Sequence, residues 1–144
     1  MRKRFLLLGL LWASVAAALA GSAAALGTSW GKAVQVPGTA VLNSGSNADV
    51  NAVSCVAAGA CVAGGFYTDG SGHEQAFVVS EKRGRWGKAV QVPGTAVLNG
   101  GGSAKVASVS CVATGKCVAG GIYKDASTHF QAFVSDGKVL APKP

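Results

Sequence analysis

The segment Trp86-Gly-Lys-Ala-Val-Gln-Val-Pro-Gly-Thr-Ala-Val-Leu-Asn99 repeats, residue for residue, the segment from Trp30 to Asn43. The same offset of 56 residues relates three further motifs to earlier ones: Ser110–Ala113 to Ser54–Ala57, Cys117–Gly121 to Cys61–Gly65, and Gln131–Val134 to Gln75–Val78. A constant offset without a gap indicates that one supersecondary element was duplicated. The sequence therefore predicts a repeat architecture.

The N-terminal segment has the pattern of a secretory signal peptide. Three basic residues, Arg2 to Arg4, precede an apolar run from Phe5 to Val15, and small residues follow. This order predicts a signal peptide over residues 1–25, with cleavage after Ala20 or Ala25. The apolar run is short for the roughly 20 residues that a membrane-spanning helix needs. We therefore expect a secreted protein, extracellular or at the cell surface, with no membrane segment after cleavage.

The charge balance argues against a nucleic-acid partner. The chain has 13 Lys and Arg against 6 Asp and Glu, and three of the basic residues lie in the leader, which leaves a net charge of +4. The one basic cluster, Lys82, Arg83, Arg85 and Lys88, surrounds a single turn. Nucleic-acid binding needs a broader basic patch or stripe. An anionic cell-envelope surface remains compatible with this charge.

Four cysteines in an exported chain favour disulfides. Four cysteines allow three pairings, but a duplicated element inherits an internal bridge intact. We therefore expect the pairs Cys55–Cys61 and Cys111–Cys117. The alternative is a zinc site built from four thiolates. It is disfavoured because the C-x5-C spacing is longer than usual and the compartment is oxidising. We expect no metal and no cofactor.

Short β-rich runs with turn residues at both ends fill the rest of the chain. In the first repeat these predicted strands are Val50–Val56, Cys61–Tyr67 and Gln75–Ser80, followed by Trp86–Val92. The prediction is an all-β protein without helices. Two tandem antiparallel β-meanders, residues 30–85 and 86–141, form a single domain, residues 26–144. The Gly-Gly pairs at 64–65 and 120–121 lie inside strands and predict a bulge or a close backbone approach.

A four-stranded antiparallel meander of this length is typical of a β-propeller blade. The mature chain would open with a fourth strand, Trp30–Val36, which we expect to pair beside the third strand of the last repeat, in the same chain or in a neighbour. Propellers use roughly four to eight blades, so two cannot close a ring. Two arrangements stay open. One is a homo-oligomer that completes a β-propeller, and the other is a compact sandwich or small barrel.

Three motifs, W-G-K-A-x-x-V-P-G, V-S-C-x5-C-x-A-G-G-x-Y-x-D and Q-A-F-V, resemble secreted bacterial repeat proteins of uncharacterised function. The segment 65–78 is similar to HAF-type extracellular repeats. The segment 80–86 is similar to a degraded Asp-box turn of sialidase-type propellers, with Glu81 in place of Asp. The resemblance implies export and a propeller-like β fold, and it implies no activity. Some small secreted lectins also place two blades on one chain, but no lectin motif is matched.

Four pairs of residues at equivalent positions are candidate ligand-binding residues: Trp30 and Trp86, Tyr67 and Tyr123, His73 and His129, and Asp69 and Asp125. The His and Asp residues would suit a polar ligand or a metal. Metal sites usually need three or four ligands, however, and a duplicated loop histidine is the simpler interpretation. The Trp and Tyr side chains would either stack on a sugar or fill the gap between sheets.

No catalytic residue is predicted. Ser71, His73 and Asp69 are neighbours in one loop, whereas a catalytic triad is defined by geometry. A glycosidase needs two carboxylates facing each other across a cleft, and the acidic residues fall mostly in turns. We expect a secreted binding or scaffolding protein with an unknown ligand, such as a glycan or a cell-envelope component. The alternatives are a lectin-like carbohydrate-binding module assembled from blades and a glycoside hydrolase-like fragment.

Overall fold

The computed structural model of the chain describes residues 29–139. The chain divides into two compact units, Met1–Lys32 and Ala33–Pro144. The described residues of the first unit, 29–32, are exposed and have no regular secondary structure. The predicted signal peptide lies outside the described residues. All strands and helices described below belong to the second unit.

The second unit contains eight strands and two short helices. In chain order these are α1 (Thr39–Leu42), β1 (Ala48–Ala57), β2 (Ala60–Thr68), β3 (Glu74–Lys82), β4 (Arg85–Trp86), β5 (Val90–Gln91), α2 (Thr95–Leu98), β6 (Ala104–Cys111), β7 (Lys116–Lys124) and β8 (Phe130–Lys138). One sheet has the order β1-β2-β3-β4, with β5 also paired to β3, and the other has the order β6-β7-β8. The all-β class and the two antiparallel meanders are therefore confirmed. Within residues 29–139 the sheets close neither a barrel nor a propeller.

The first meander, β1–β3, and the second meander, β6–β8, have the same strand register. Ala48 faces Tyr67 in the first meander, and Ala104 faces Tyr123 in the second. Each first strand also carries an irregularity at the same place, between Val50 and Ala52 and between Val106 and Ser108. The sequence duplication is thus reproduced in the backbone pairing.

The Gly-Gly pairs sit opposite these irregularities, as the sequence predicted. A Cβ atom on Gly65 would collide with the carbonyl oxygen of Asp49, and one on Gly64 would lie 2.7 Å from Cγ1 of Val106. Glycine is needed at 65 because the bulged strand approaches its backbone, and at 64 because the second meander approaches it.

The predicted disulfides are present in both meanders. Cys55 pairs with Cys61 at a Cα–Cα distance of 3.9 Å, and Cys111 pairs with Cys117 at 4.1 Å. Each bridge joins directly opposed residues of a hairpin, β1 with β2 or β6 with β7. Such disulfides are typical of proteins in oxidising compartments outside the cytosol.

The predicted strand Trp86–Val92 is interrupted. Its first part, β4, pairs with the end of β3, and its second part, β5, pairs with Phe77 and Val78. The register shifts by one residue between these two ladders. Its counterpart in the first repeat, Trp30–Val36, is not a strand and does not pair with β8 within residues 29–139, so the prediction of pairing in the same chain is wrong. The alternative, pairing with a neighbouring chain, stays a prediction. Val36 packs against the core cluster of the first meander that contains Ala63 and Phe77.

The two helices were not predicted. Each is one turn long and follows a Pro-Gly pair, with Gly38 at φ 89° and Gly94 at φ 86°. The hydroxyls of Thr39 and Thr95 donate to the carbonyl oxygens of Val36 and Val92, both at 2.7 Å. A four-residue turn is too short to leave a helical period in the sequence. Within residues 29–139, no helix has both the length and the apolar character required to cross a membrane.

The two meanders pack against each other through a shared apolar core. Ala76 and Val92 contact a cluster that contains Val106 of the second meander. Two hydrogen bonds cross between the first strands: Nδ2 of Asn51 donates to the carbonyl oxygen of Val106 at 2.8 Å, and the backbone N–H of Cys111 donates to Oγ of Ser54 at 3.0 Å. The sheet of the first meander therefore packs against the sheet of the second meander.

Candidate functional site

The loop between β2 and β3 is held together by the carboxylate of Asp69. Its Oδ1 accepts hydrogen bonds from the backbone N–H groups of Ser71 (2.9 Å) and His73 (3.0 Å), and its Oδ2 accepts one from Nε2 of Gln75 (2.8 Å). The bond from Gln75, together with those from His73 and Ser71, lowers the pKa of Asp69. The hydrogen bonds of this carboxylate therefore stabilise its own loop.

Asp125 has the same role in the loop between β7 and β8. It accepts from the backbone N–H groups of Ser127 and His129 and from Nε2 of Gln131. The bond from His129 is the main cause of its lowered pKa. The His129 ring lies 3.9 Å from Oδ2 of Asp125, and the side chain is 74% exposed. Within residues 29–139, no three His, Cys, Asp or Glu side chains are grouped closely enough to hold a metal ion.

The four candidate aromatic residues lie in different surroundings. Tyr67 is buried in the core of the first meander, where burial and the nearby Asp69 carboxylate raise its pKa. Trp86 is half-buried and packs against the same core, and Tyr123 is half-buried against the core shared by the meanders. Trp30 is 95% exposed. These side chains do not converge on one cavity, and their role in binding stays a prediction.

An open cleft lies on the first meander, within the described residues. It has a volume of about 530 Å³. Its lining includes Gln35, Asn43, Ser46, Asn47, Asp49 and Val50. We call it the edge cleft. Three of the six polar side chains in its lining are amides, and Asp49 is its single acidic side chain.

Asn43 anchors one side of the edge cleft. Its Oδ1 accepts hydrogen bonds from the backbone N–H groups of Asn47 (2.9 Å) and Thr68 (3.2 Å). This fixes the loop that follows α1 and leaves Nδ2 without an acceptor within residues 29–139. The amide is therefore held in place by its oxygen while its donor group is available for another molecule.

A second, smaller cleft of about 190 Å³ lies between the two meanders. Its lining is mostly apolar and includes Val62, Val78, Val90 and Val109.

A separate surface feature is the turn between β3 and β4, where Lys82, Arg83, Arg85 and Lys88 are exposed. Within residues 29–139 none of these four basic side chains forms an ion pair.

Sequence reasoning did not single out Gln35, Asn43 or Asn47 as candidate site residues. The available signal was the exact repetition of Gln35 as Gln91 and of Asn43 as Asn99. Both asparagines stand at the ends of the single-turn helices, where asparagine is a common turn residue, so the residue type alone does not indicate a recognition group. Comparisons of the chain with protein families, with curated proteins and with solved structures found no match.

Proposed function

We propose that the chain is a secreted protein that binds or scaffolds a partner outside the cell and catalyses no reaction. Its resemblance to exported bacterial repeat proteins, its leader pattern and its disulfides all favour this setting. The observation that carries the proposal is the edge cleft. It offers three amide side chains, of which Asn43 is held in place by hydrogen bonds to its oxygen, and a single carboxylate, Asp49.

This composition suits recognition better than hydrolysis. A glycosidase places two carboxylates on opposite sides of the scissile bond, roughly 5 to 10 Å apart. In the edge cleft Asp49 has no acidic partner. The carboxylates of Asp69 and Asp125 are engaged by their own loops, outside this lining. The hydrolase alternative therefore has little support.

A carbohydrate ligand is the second candidate. Asn, Gln and Asp side chains at an open cleft are suited to hydrogen-bonding the hydroxyls of a sugar. The test is a glycan array with the exported, purified protein, followed by titration of each hit. Saturable binding that is lost in Asn47→Ala and kept in Val97→Ala, which changes an exposed side chain outside the cleft, would support a sugar site. Release of reducing ends that stops in Asp49→Asn would overturn the non-enzymatic proposal.

Attachment to an anionic cell-envelope polymer is supported by the exposed basic turn at Lys82–Lys88. Binding of this kind weakens as salt screens the charges. A sedimentation assay with isolated envelope polymer separates it from the edge cleft. The double variant Arg83→Gln/Arg85→Gln should lose binding, whereas Lys116→Gln, on the exposed part of β7, should keep it. Equal binding by both variants would exclude this attachment.

A further inference from the structure

The contact between the first and second repeats includes a strand seam that we call the internal seam. In it β3 pairs with β5, with Phe77 opposite Gln91 and Val78 opposite Val90. The backbone N–H of Val92 continues the seam by donating to the carbonyl oxygen of Ala76 at 2.9 Å.

Two amide residues that occur in both repeats add side-chain bonds to this seam. Nε2 of Gln91 donates to Oε1 of Gln75 at 2.8 Å. Nδ2 of Asn99 donates to the carbonyl oxygen of Glu74 at 2.8 Å and to Oε1 of Gln75 at 3.2 Å. Because Oδ1 of Asn99 accepts from the backbone N–H of Ser103, the second repeat fixes its amide as Asn43 is fixed in the first.

The edge cleft is the equivalent surface on the first meander, where no third strand of a preceding meander pairs with the chain within residues 29–139. Subtracting the repeat offset turns Gln91 into Gln35 and Asn99 into Asn43, and both lie in the cleft lining. Gln35 is exposed, whereas Gln91 is half-buried. The cleft therefore contains the equivalents of the two amide groups that bond to β3 in the internal seam.

The apolar part of the cleft lining is also more exposed than its counterpart in the second meander. Ala104 and Val106 are fully buried in the contact with Ala76. Their equivalents on the first meander are Ala48, which is exposed, and Val50, which is 39% exposed. Both residues line the edge cleft, and we call the whole lining the acceptor face.

The second meander carries the complementary surface on β8 and β7. Ala132 is exposed, whereas its equivalent Ala76 is fully buried. Val134 is 80% exposed and Val118 is 43% exposed. The outer edge of β8 has no strand paired to it within residues 29–139. We call Ala132, Val134, Val118 and this edge the donor face.

We propose that the donor face of one molecule binds the acceptor face of a second molecule of the same chain, as the internal seam joins the two repeats. This deepens the proposed function, on which it rests, because it names the partner that occupies the edge cleft. The argument is continuity with an existing interface: the segment Val34–Asn43 is identical to Val90–Asn99, and Gln131–Val134 is identical to Gln75–Val78. Identical backbone and side-chain groups, held in the same register, can make the same bonds.

The intermolecular bonds follow from the internal ones. Gln35 lies opposite Phe133, and the backbone N–H of Val36 donates to the carbonyl oxygen of Ala132. Nε2 of Gln35 donates to Oε1 of Gln131, whose own Nε2 already bonds to Asp125 at 3.1 Å. Ala132 of the first molecule then covers Ala48 and Val50 of the second, as Ala76 covers Ala104 and Val106 internally.

The proposed contact does not reproduce every internal bond: the bond from Nδ2 of Asn51 to Val106 is lost, because Ala107 stands at the equivalent position. Three positions at the seam and the turn beside it differ as well. Gly102 corresponds to Ser46, Ser103 to Asn47, and Glu74 to Phe130. Hence the bond from Oγ of Ser103 to Glu74 is not reproduced, and Phe130, which is 60% exposed, becomes buried instead.

The replacement of Gly102 by Ser46 also has a steric consequence. A Cβ on Gly102 would lie 2.6 Å from Cδ2 of His73, so Ser46 requires the equivalent ring, His129, to rotate. That side chain is 74% exposed and can do so. A change in the His129 ring resonances is therefore expected on assembly.

Such a contact is head-to-tail, since the two faces are different surfaces. Repeated contacts of this type give a ring when the rotation closes and an open filament when it does not. With four to eight blades in a propeller and two meanders per molecule, a closed ring would contain about two to four molecules.

The test measures molar mass by light scattering across a dilution series of the protein, expressed as the full chain and purified after export. Gln35→Glu replaces the donor with an acceptor that faces Gln131, and Ala132→Arg places a charge on the donor face. Both sites are exposed in one molecule, so the fold should be kept. We expect the wild type to assemble and each variant to raise the midpoint concentration of assembly about tenfold or more. Val97→Arg, on an exposed residue outside both faces, is the control.

A covalent trap gives a second readout. The double variant Val34→Cys/Val134→Cys should form intermolecular disulfides on oxidation, because the proposed register places these residues opposite each other. Val97→Cys/Val134→Cys should not form them.

A wild type that stays monomeric at millimolar concentration, or an assembly unaffected by Gln35→Glu and Ala132→Arg, would overturn the proposal. A monomer that binds a glycan in the edge cleft would overturn it while leaving the binding function intact, and assembly without any other ligand would support it.

Discussion

Gln91 and Gln75 are joined by one hydrogen bond, from Nε2 of Gln91 to Oε1 of Gln75 at 2.8 Å. Nε2 of Gln75 in turn donates to Oδ2 of Asp69. This relay links three parts of the chain: β5, β3 and the loop before β3. It explains why the motif Q-A-F-V and the motif around Gln91 occur together in the sequence, since each supplies one partner of the bond.

The relay predicts a stability effect at Gln91. Gln91→Glu places a carboxylate acceptor against Oε1 of Gln75, so the bond is lost, and the unfolding free energy should fall by about 1 kcal/mol. Urea denaturation at pH 7 under oxidising conditions measures this change. Gln35→Glu is the matched control, because the same substitution at the exposed position in the first repeat should leave the stability of a single molecule unchanged.

The single-turn helices give a second prediction. Thr95 is 1% exposed and its hydroxyl donates to the carbonyl oxygen of Val92 at 2.7 Å. Thr95→Val keeps the shape and removes the donor, which should cost about 1 kcal/mol. Thr39→Val removes the equivalent bond in the first repeat and should have an effect of similar size. Thermal unfolding of both variants measures this, and no change at Thr95 would show that the hydroxyl does not stabilise the turn.

The loop carboxylates predict a pH dependence. The pKa values of Asp69 and Asp125 are lowered in the folded protein. The pKa of an Asp in the unfolded chain is about 3.9. Their contribution to stability is therefore complete above that value and is lost as the pH falls through the lower folded pKa values. NMR titration of the two carboxyl carbons should give midpoints below the unfolded one.

The matching substitutions test the same point by another route. Asp69→Asn should remove part of the acid dependence of stability, because its NH2 group cannot accept the bond from Nε2 of Gln75, while its oxygen keeps the bonds from Ser71 and His73. Asp69→Ala removes all three bonds and should also give faster amide exchange at His73. The same pair of substitutions at Asp125 should have the same effects at Gln131 and His129. Midpoints at or above the unfolded value would contradict the hydrogen-bonded loops.

The disulfides give a fourth prediction. Cys55→Ala/Cys61→Ala opens a loop with a sequence separation of 6, which should lower the unfolding free energy by about 2 kcal/mol in the chain-entropy account. The equivalent change at Cys111 and Cys117 opens a loop of the same length and should cost a similar amount. Non-reducing peptide mapping checks the pairing directly, and a Cys55–Cys111 linkage would be incompatible with the two hairpins.

The sequence was sufficient to predict the meanders and the disulfides for clear physical reasons. A constant repeat offset requires the two halves to share a register, and paired cysteines in a duplicated hairpin lie within reach of each other. The Gly-Gly pairs were informative because Gly65 leaves no room for a side chain beside Asp49.

Other features depend on tertiary context that a repeat pattern does not contain. Trp30–Val36 has the same residues as Trp86–Val92, yet only the second segment has a β3 edge beside it and forms a ladder. Identical sequences therefore adopt different structures. The importance of Gln35 and Asn43 was hidden for the same reason, because their partner groups belong to the third strand of a preceding meander.

The backbone N–H of Val36 tests the central claim most directly. In the internal seam its equivalent, Val92, donates to Ala76, whereas within residues 29–139 the N–H of Val36 has no acceptor. Amide exchange should be measured for both residues over a concentration series. We predict slow exchange at Val92 throughout and exchange at Val36 that slows as concentration rises and a second molecule supplies the carbonyl of Ala132. Fast exchange at Val36 at every concentration would contradict the account.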